Sequence, residues 1–316
     1  MSAWILHHYP LSPYAEKARL MLGYKGASWR SVEVSPLPPR PGLQAVLGGF
    51  RRIPVLQRGA DFFCDTRLMA EVLDSVTPVP PLLPPQARAV STLIANWAEP
   101  RAFVMMGPVR FETREDVQPL LEVGIHPGDF LRDRAPFMAP AVDTRRSASV
   151  RASARDHVVA YLTVLDELLR GSGGLHLCGS KPSAADFSAY HTLWWLRQPP
   201  QRDALLQRFP ALRDWADRMA AIGHGHFEPM SPDEALHDVK AAQADAPWQP
   251  AWPMVDDERL GQVMVVTADD YGRDPISGTV SAMSDRHLTL TRQAPDLGTV
   301  RVHFPKVGYE LTTPSA

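Results

Sequence analysis

A helix with both ends marked, lying within the first 25 residues, most constrains what this 316-residue chain can form. Ser12 and Pro13 stand at the N-cap and first helical positions, apolar residues follow at helical spacing to Leu22, and Gly23 closes the run. Ahead of it, residues 3–9 are short, apolar and aromatic, as a buried strand is. Behind it, residues 29–35 (Trp-Arg-Ser-Val-Glu-Val-Ser) alternate as a strand does. Strand, helix and strand in so short a span predict a parallel β-α-β unit.

The next signals extend that unit. A proline-rich loop from Pro36 to Pro41 leads to a short helical piece near 43–47. Residues 53–57 and 61–64 then flank Arg58-Gly59-Ala60 as a hairpin, and Asp65-Thr66 opens a helix with Leu68, Met69, Val72 and Leu73 on one face. A βαβ unit followed by ββα within 80 residues is the layout of a thioredoxin-like domain. After the breaker at 78–85 the pattern is helical only, with candidates at 86–106, 146–170, 183–197, 201–208 and 210–222. Residues 107–145 read as an irregular connection with a short helix near 114–122. A linker rich in Pro, Trp and Ala gives way to period-two segments at 261–268, 276–283, 287–292 and 299–304. The expected organisation is α/β thioredoxin-like over 1–80, all-α over 81–235, a linker over 236–255 and a small antiparallel β-rich domain over 256–316. That last piece is too short to be very stable unless it docks or joins the rest.

Composition narrows the function classes. With 33 basic and 35 acidic side chains the net charge is -2, which argues against a general binder of nucleic acid or anionic membrane. Two cysteines, Cys64 and Cys178, are too few for a disulfide scaffold or a thiolate zinc site. No apolar run approaches the ~20 residues that span a bilayer, and the opening residues lack a basic stretch before an apolar one, which reads against a signal peptide. A reducing cytoplasm is the expected compartment. The pairs His7-His8 and His224/His226 lack further ligands at metal spacing, so no metal site is expected.

Three features carry chemistry. Ser12 lies at a helix start after the first strand, Pro54 stands where a ladder N–H is expected, and Asp65-Thr66 opens a helix whose free amides suit an anion. A fourth, Ser183-x-x-Asp186, is a capping box before an apolar run and reads as structural. Tyr9-Pro10-Leu11-Ser12-Pro13-Tyr14 with Lys17-Ala18-Arg19, then Arg52-Ile53-Pro54-Val55-Leu56, then Asp65-Thr66 resemble the glutathione-binding half of glutathione S-transferases. Leu177 to Asp186 is similar to that family's helical-domain signature, and the order matches along about 230 residues.

The resemblance implies that Ser12 donates a hydrogen bond to the glutathione sulfur, with Tyr9 as the rival donor. It implies a cis Pro54 that exposes the Ile53 backbone to the cysteinyl part of glutathione. Asp65 and Thr66 would receive the γ-glutamyl end, and Arg52, with Arg51 or Arg40 as alternatives, the glycyl carboxylate. Thr66 stands where Ser is commoner, and it keeps the hydroxyl. Serine rather than cysteine at position 12 speaks against glutathionylation and thiol exchange. The implied partners are glutathione as co-substrate and a hydrophobic small-molecule electrophile, with no tightly bound cofactor, no nucleic acid and no membrane, and with a homodimer possible. Conjugation is the leading activity, with isomerisation, peroxide reduction and dehalogenation as related ones. The alternative is a non-catalytic scaffold that uses its C-terminal β residues for a partner. Those residues, from about 256, lie beyond the usual end of the family's chains.

Overall fold

The computed structural model describes residues 3–111, 115–138, 148–173, 175–198, 205–244, 246, 248 and 252–314. It divides the chain into two compact units, one of residues 1–18, 25–78 and 225–316, the other of residues 19–24 and 79–224.

The first unit begins as expected. Strand β1 (Trp4–His8) leads into helix α1 (Pro13–Tyr24) and strand β2 (Ser28–Glu33), and β1 and β2 pair in parallel from Trp4↔Trp29 to His8↔Glu33. Helix α2 (Pro41–Leu47) precedes strands β3 (Val55–Arg58) and β4 (Asp61–Cys64), an antiparallel hairpin with β3 on β1, and helix α3 (Thr66–Val76) follows. Helix α3 buries Leu68, Met69, Val72 and Leu73, the face its periodicity marks.

That arrangement leaves β2 and β4 at the two sheet edges, and the C-terminal residues cover both. Strand β5 (His226–Pro229) lies parallel to β2, and helix α11 (Pro232–Ala241) follows it. Strands β6 (Val263–Ala268), β7 (Ile276–Met283), β8 (His287–Ala294), β9 (Gly298–Pro305) and β10 (Tyr309–Thr312) pair antiparallel in the order β10-β6-β7-β8-β9. Strand β9 then joins β4 in parallel, Asp61↔Arg301 to Phe63↔His303, making one ten-stranded sheet. The four C-terminal strands expected from the alternation are present, and β10 and β5 add to them. The segment outlined as a separate domain over 256–316 thus continues the first sheet, and the outlined linker over 236–255 begins inside α11. The physical cause is the edge: β4 presents unpaired backbone groups that another strand satisfies. One apolar cluster runs through both parts, with Leu43, Val46, Leu47, Phe50, Val55 and Phe62 beside Met264, Val266, Val280, Leu290, Val300, Val302 and Phe304.

His7 and His8 are buried and hydrogen-bonded within the sheet, His8 Nε2 lying 2.8 Å from Ser31 Oγ. His7 Nε2 donates to the Gln57 side-chain oxygen at 2.7 Å, and the Gln57 amide donates to the carbonyls of Gly59 and Ala235, both at 3.0 Å. Burial pushes His7 down to about 4, against the raising effect of the Gln57 bond. An unfolded histidine titrates near 6.5, so the folded state resists the proton. The stability is fully present above pH ~6.5 and is lost as pH falls towards about 4, at roughly 1.4 kcal/mol per unit. Chemical denaturation over that window is expected to show a loss of about 3 kcal/mol from this residue. His7→Gln, which takes up no proton, flattens that slope.

The second unit contains α4 (Arg88–Trp97), α5 (Phe103–Arg110), α6 (Gln118–Glu122), α7 (Pro127–Met138), α8 (Ala148–Gly171), α9 (Ala184–Arg197) and α10 (Pro210–Ala221). The single helix expected over 86–106 is broken by a π turn at Ala98–Ala102 that contains Pro100, a residue with no N–H for the ladder. The first part of the helix expected at 201–208 and parts of 107–145 lie outside the described residues. The capping box heading α9 is formed, and the fully buried Asp186 carboxylate does more than cap. It accepts from Ser183 N at 2.9 Å, Leu177 N at 2.8 Å and Trp215 Nε1 at 2.9 Å, tying three segments together. Met106, Tyr190 and Trp195 are core residues of this unit, with Trp195 stacked on Phe103 at 4.6 Å. Among the described residues no helix is long and apolar enough to cross a membrane.

Candidate functional site

The candidate site is assembled within the first unit from the N-termini of α1 and α3 and the turn before β3. Ser12 follows β1 through Tyr9-Pro10-Leu11, and its amide donates to the Tyr9 carbonyl at 3.1 Å. The Ser12 carbonyl accepts from Glu16 N at 2.9 Å and its Oγ accepts from Ala15 N at 3.1 Å, so Ser12 is the N-cap of α1. Accepting that bond uses a lone pair and leaves the hydroxyl hydrogen to donate. Ser12 and Tyr9 are both buried.

The Ile53–Pro54 peptide bond is cis, and Pro54 directly precedes β3. At the other helix start Asp65 has φ 81, a left-handed value that a non-glycine residue seldom adopts. Its carboxylate caps α3 by accepting from Arg67 N at 2.9 Å, and it also takes the Arg67 side chain through Nε at 3.0 Å and Nη2 at 2.7 Å. Burial works to raise the Asp65 pKa; Arg67 and, after it, Lys17 outweigh burial and hold the carboxyl below its ordinary value. Thr66 Oγ1 accepts from Lys17 Nζ at 3.1 Å, and Lys17 is 1% exposed. This bond ties the start of α3 to the second turn of α1.

The arginines divide. Arg40 is buried and spent on the backbone, donating to the carbonyls of Ser35 at 2.7 Å, Arg51 at 2.7 Å and Pro36 at 2.8 Å. Its role is to shape the loop before β3. Arg52 Nη2 donates to the Asp270 carboxylate and to the Tyr271 carbonyl, and its guanidinium lies 5.6 Å from the Tyr309 ring centre. Arg51 lies over the Tyr271 ring at 5.5 Å, with Nε 3.8 Å from the Asp274 carboxylate. Asp270, Tyr271 and Asp274 all belong to the turn between β6 and β7. Burial pushes both thiols, Cys64 and Cys178, up, so neither is an activated nucleophile.

The structure therefore brings Ser12, Ile53-Pro54, Asp65 and Thr66 to helix starts and a pre-strand turn of one unit. It adds Lys17 and Arg67, which sequence reasoning left out of the site. A lysine inside an apolar helix face was the available signal for the first. For the second it was an arginine two residues past a capping aspartate. Nothing local signalled that the β6–β7 turn meets Arg51 and Arg52.

Comparison with known proteins identifies the family. The family model described as Glutathione S-transferase, N-terminal domain, matches residues 6–81, and that described as Glutathione S-transferase, C-terminal domain, matches residues 140–218. The chain belongs to the glutathione S-transferase family. A GST-like protein from Pseudomonas syringae is 30% identical and superposes with TM-score 0.80, covering 99% of this chain and 100% of its own. The Tau class glutathione S-transferase of mango (Mangifera indica) is 19% identical at TM-score 0.53, covering 77% of this chain and 99% of its own. FzlA from C. crescentus is 21% identical at TM-score 0.51, covering 79% and 96%. The last two share the fold. No curated protein matches the chain.

Proposed function

We propose that the chain binds reduced glutathione along Ile53, Asp65 and Thr66 and that Ser12 stabilises its thiolate for attack on a hydrophobic electrophile. The observation that carries this reading is the Lys17–Thr66 hydrogen bond, which holds the α3 start beside the helix that Ser12 heads. Two helix N-termini supply partial positive charge, one for the γ-glutamyl carboxylate and one for the sulfur. The cis Ile53–Pro54 turn supplies backbone groups for the cysteinyl amide. Asp65, kept ionised by Arg67 and Lys17, supplies a negative charge for the α-ammonium. The Ser12 hydroxyl donates to the thiolate, which lowers the thiol pKa and raises the nucleophile's population at neutral pH. The sulfur then bonds to the electrophilic carbon as its leaving group departs, or starts a related isomerisation, peroxide reduction or dehalogenation. The chemistry asks for a reducing cytoplasm and no tightly bound cofactor.

Calorimetric titration with reduced glutathione tests the binding half. Saturable binding weakened strongly by Asp65→Ala is the expected result, and absence of heat overturns the reading. Ser12→Ala tests the chemical half. The bound thiol is expected to titrate about 1–2 pH units higher, the worth of one hydrogen bond to a charged sulfur, with affinity changed less than ~3-fold. An unchanged thiol titration assigns Ser12 to helix capping alone.

The pairing of Arg51 and Arg52 with Asp274 and Asp270 favours a second reading, in which the fold serves as a non-catalytic scaffold. It predicts no glutathione binding and a partner that engages the C-terminal strands.

A further inference from the structure

The turn between β6 and β7 is seated on the edge of the site. It is anchored at its base, where Arg273 Nη1 donates to the Asp269 carbonyl at 2.9 Å and Nη2 to the Glu310 carboxylate at 2.6 Å. At its tip Gly272 has φ +64, a value that favours glycine, and a Cβ there would lie 3.1 Å from Arg51 Cγ, a tight contact that glycine avoids. Asp270 and Tyr271 accept from Arg52, and its guanidinium lies over the Tyr309 ring, 5.6 Å from the ring centre. Arg52 Nη2 serves both partners, and its buried Nε has no hydrogen-bond partner among the described residues and is out of reach of an incoming ligand. The Arg52 side chain is 21% exposed and already carries a carboxylate.

We propose that Asp270 determines specificity in this site: by holding Arg52, it makes the site recognise the γ-glutamyl-cysteinyl half of a thiol peptide and ignore its C-terminal carboxylate. The proposal rests on the glutathione reading above. A free glycyl carboxylate brought towards Arg52 meets a guanidinium whose charge is compensated, and it faces Asp270 as a like charge. An uncharged C-terminus at the same place meets no such repulsion. Thiol peptides or conjugates with a blocked, amidated or otherwise uncharged C-terminal end are thus accepted as readily as glutathione itself. The turn comes from the C-terminal strands, so the added part of the chain shapes substrate choice as well as completing the sheet.

The test is titration of the full chain with reduced glutathione and with γ-glutamyl-cysteinyl-glycinamide, which differ in that one charge. The wild type is expected to bind the amide as tightly as glutathione or more tightly. Asp270→Asn, which removes the counter-charge from Arg52 with little change of shape, is expected to prefer glutathione by about tenfold, as a charge-assisted pair implies. A wild type that prefers glutathione by tenfold overturns the proposal, whatever the variant does. So does a variant that treats the two ligands alike. Binding of neither ligand by either protein overturns the glutathione reading and the proposal with it, an outcome distinct from binding without discrimination.

Discussion

Removal of residues 256–316 is expected to leave no soluble folded protein, although the family's helical and thioredoxin-like parts remain in the shortened chain. The deletion strips β9 from β4 and restores an open edge in the middle of the ten-stranded sheet. It also divides an apolar cluster: Val46, Leu47, Phe50, Val55 and Phe62 lose the side of the core made by Met264, Val280, Leu290, Val302 and Phe304. Re-exposing such side chains costs roughly 1.5–3 kcal/mol each, so a few of them reach the ~5–15 kcal/mol that stabilises a whole domain. Soluble yield and the thermal unfolding of any recovered protein are the measurements. A truncated chain that unfolds cooperatively within a few degrees of the full one would show that the C-terminal strands fold apart from the first sheet.

The second large effect is expected at Asp61, the residue that opens β4. It is 3% exposed. Oδ1 accepts from Arg301 Nε at 2.7 Å and from His303 Nε2 at 2.9 Å, while Oδ2 accepts from Arg301 Nη2 at 2.8 Å. His303 Nδ1 lies 2.9 Å from Thr289 Oγ1, and its ring stacks on Phe63 at 4.7 Å. Asp61→Ala removes the buried carboxylate that pairs with the half-buried Arg301 guanidinium and the buried His303 ring, which costs about 3–5 kcal/mol and lowers Tm by roughly 10 °C. Asp61→Leu combined with Arg301→Leu recovers much of that loss, because removing both charges leaves none stranded. A double variant no more stable than Asp61→Ala alone would contradict the pairing.

The same group sets an acid limit. Burial works to raise the Asp61 pKa, but the bonds from Arg301 and His303 outweigh it and hold the carboxyl below its ordinary value. For a carboxyl depressed by folding, stability is fully present above the unfolded value near 4 and is lost as pH falls below it. That loss follows, at lower pH, the one assigned to His7. Unfolding titrations of Asp61→Ala are expected to be flatter below pH ~4 than those of the wild type.

Much of the first unit was legible because its signals are local. Ser12-Pro13 and Asp65-Thr66 mark helix starts within four residues of themselves, and Ser183-x-x-Asp186 marks a third. The period-two segments gave four of the C-terminal strands to within a few residues. The pairing of β4 with β9 was not legible. It joins residues some 240 apart in a parallel ladder, and no turn residue or periodicity encodes such a partner. Strand β5 escaped for a related reason: its four residues, His226–Pro229, are all exposed and carry no alternation. Sequence reasoning assigns Arg52 to a ligand carboxylate, and its pairing with Asp270 was not legible, because a sequence does not show which distant carboxylate a guanidinium meets.

By itself the sequence determined the family, the caps at Ser12, Asp65 and Ser183 and most elements of the first sheet, since each rests on side chains near one another along the chain. The tertiary structure decided where the last strands go, what Arg52 holds and which charges share a buried site. Those outcomes depend on edges, cavities and counter-charges that come into being only when distant segments meet.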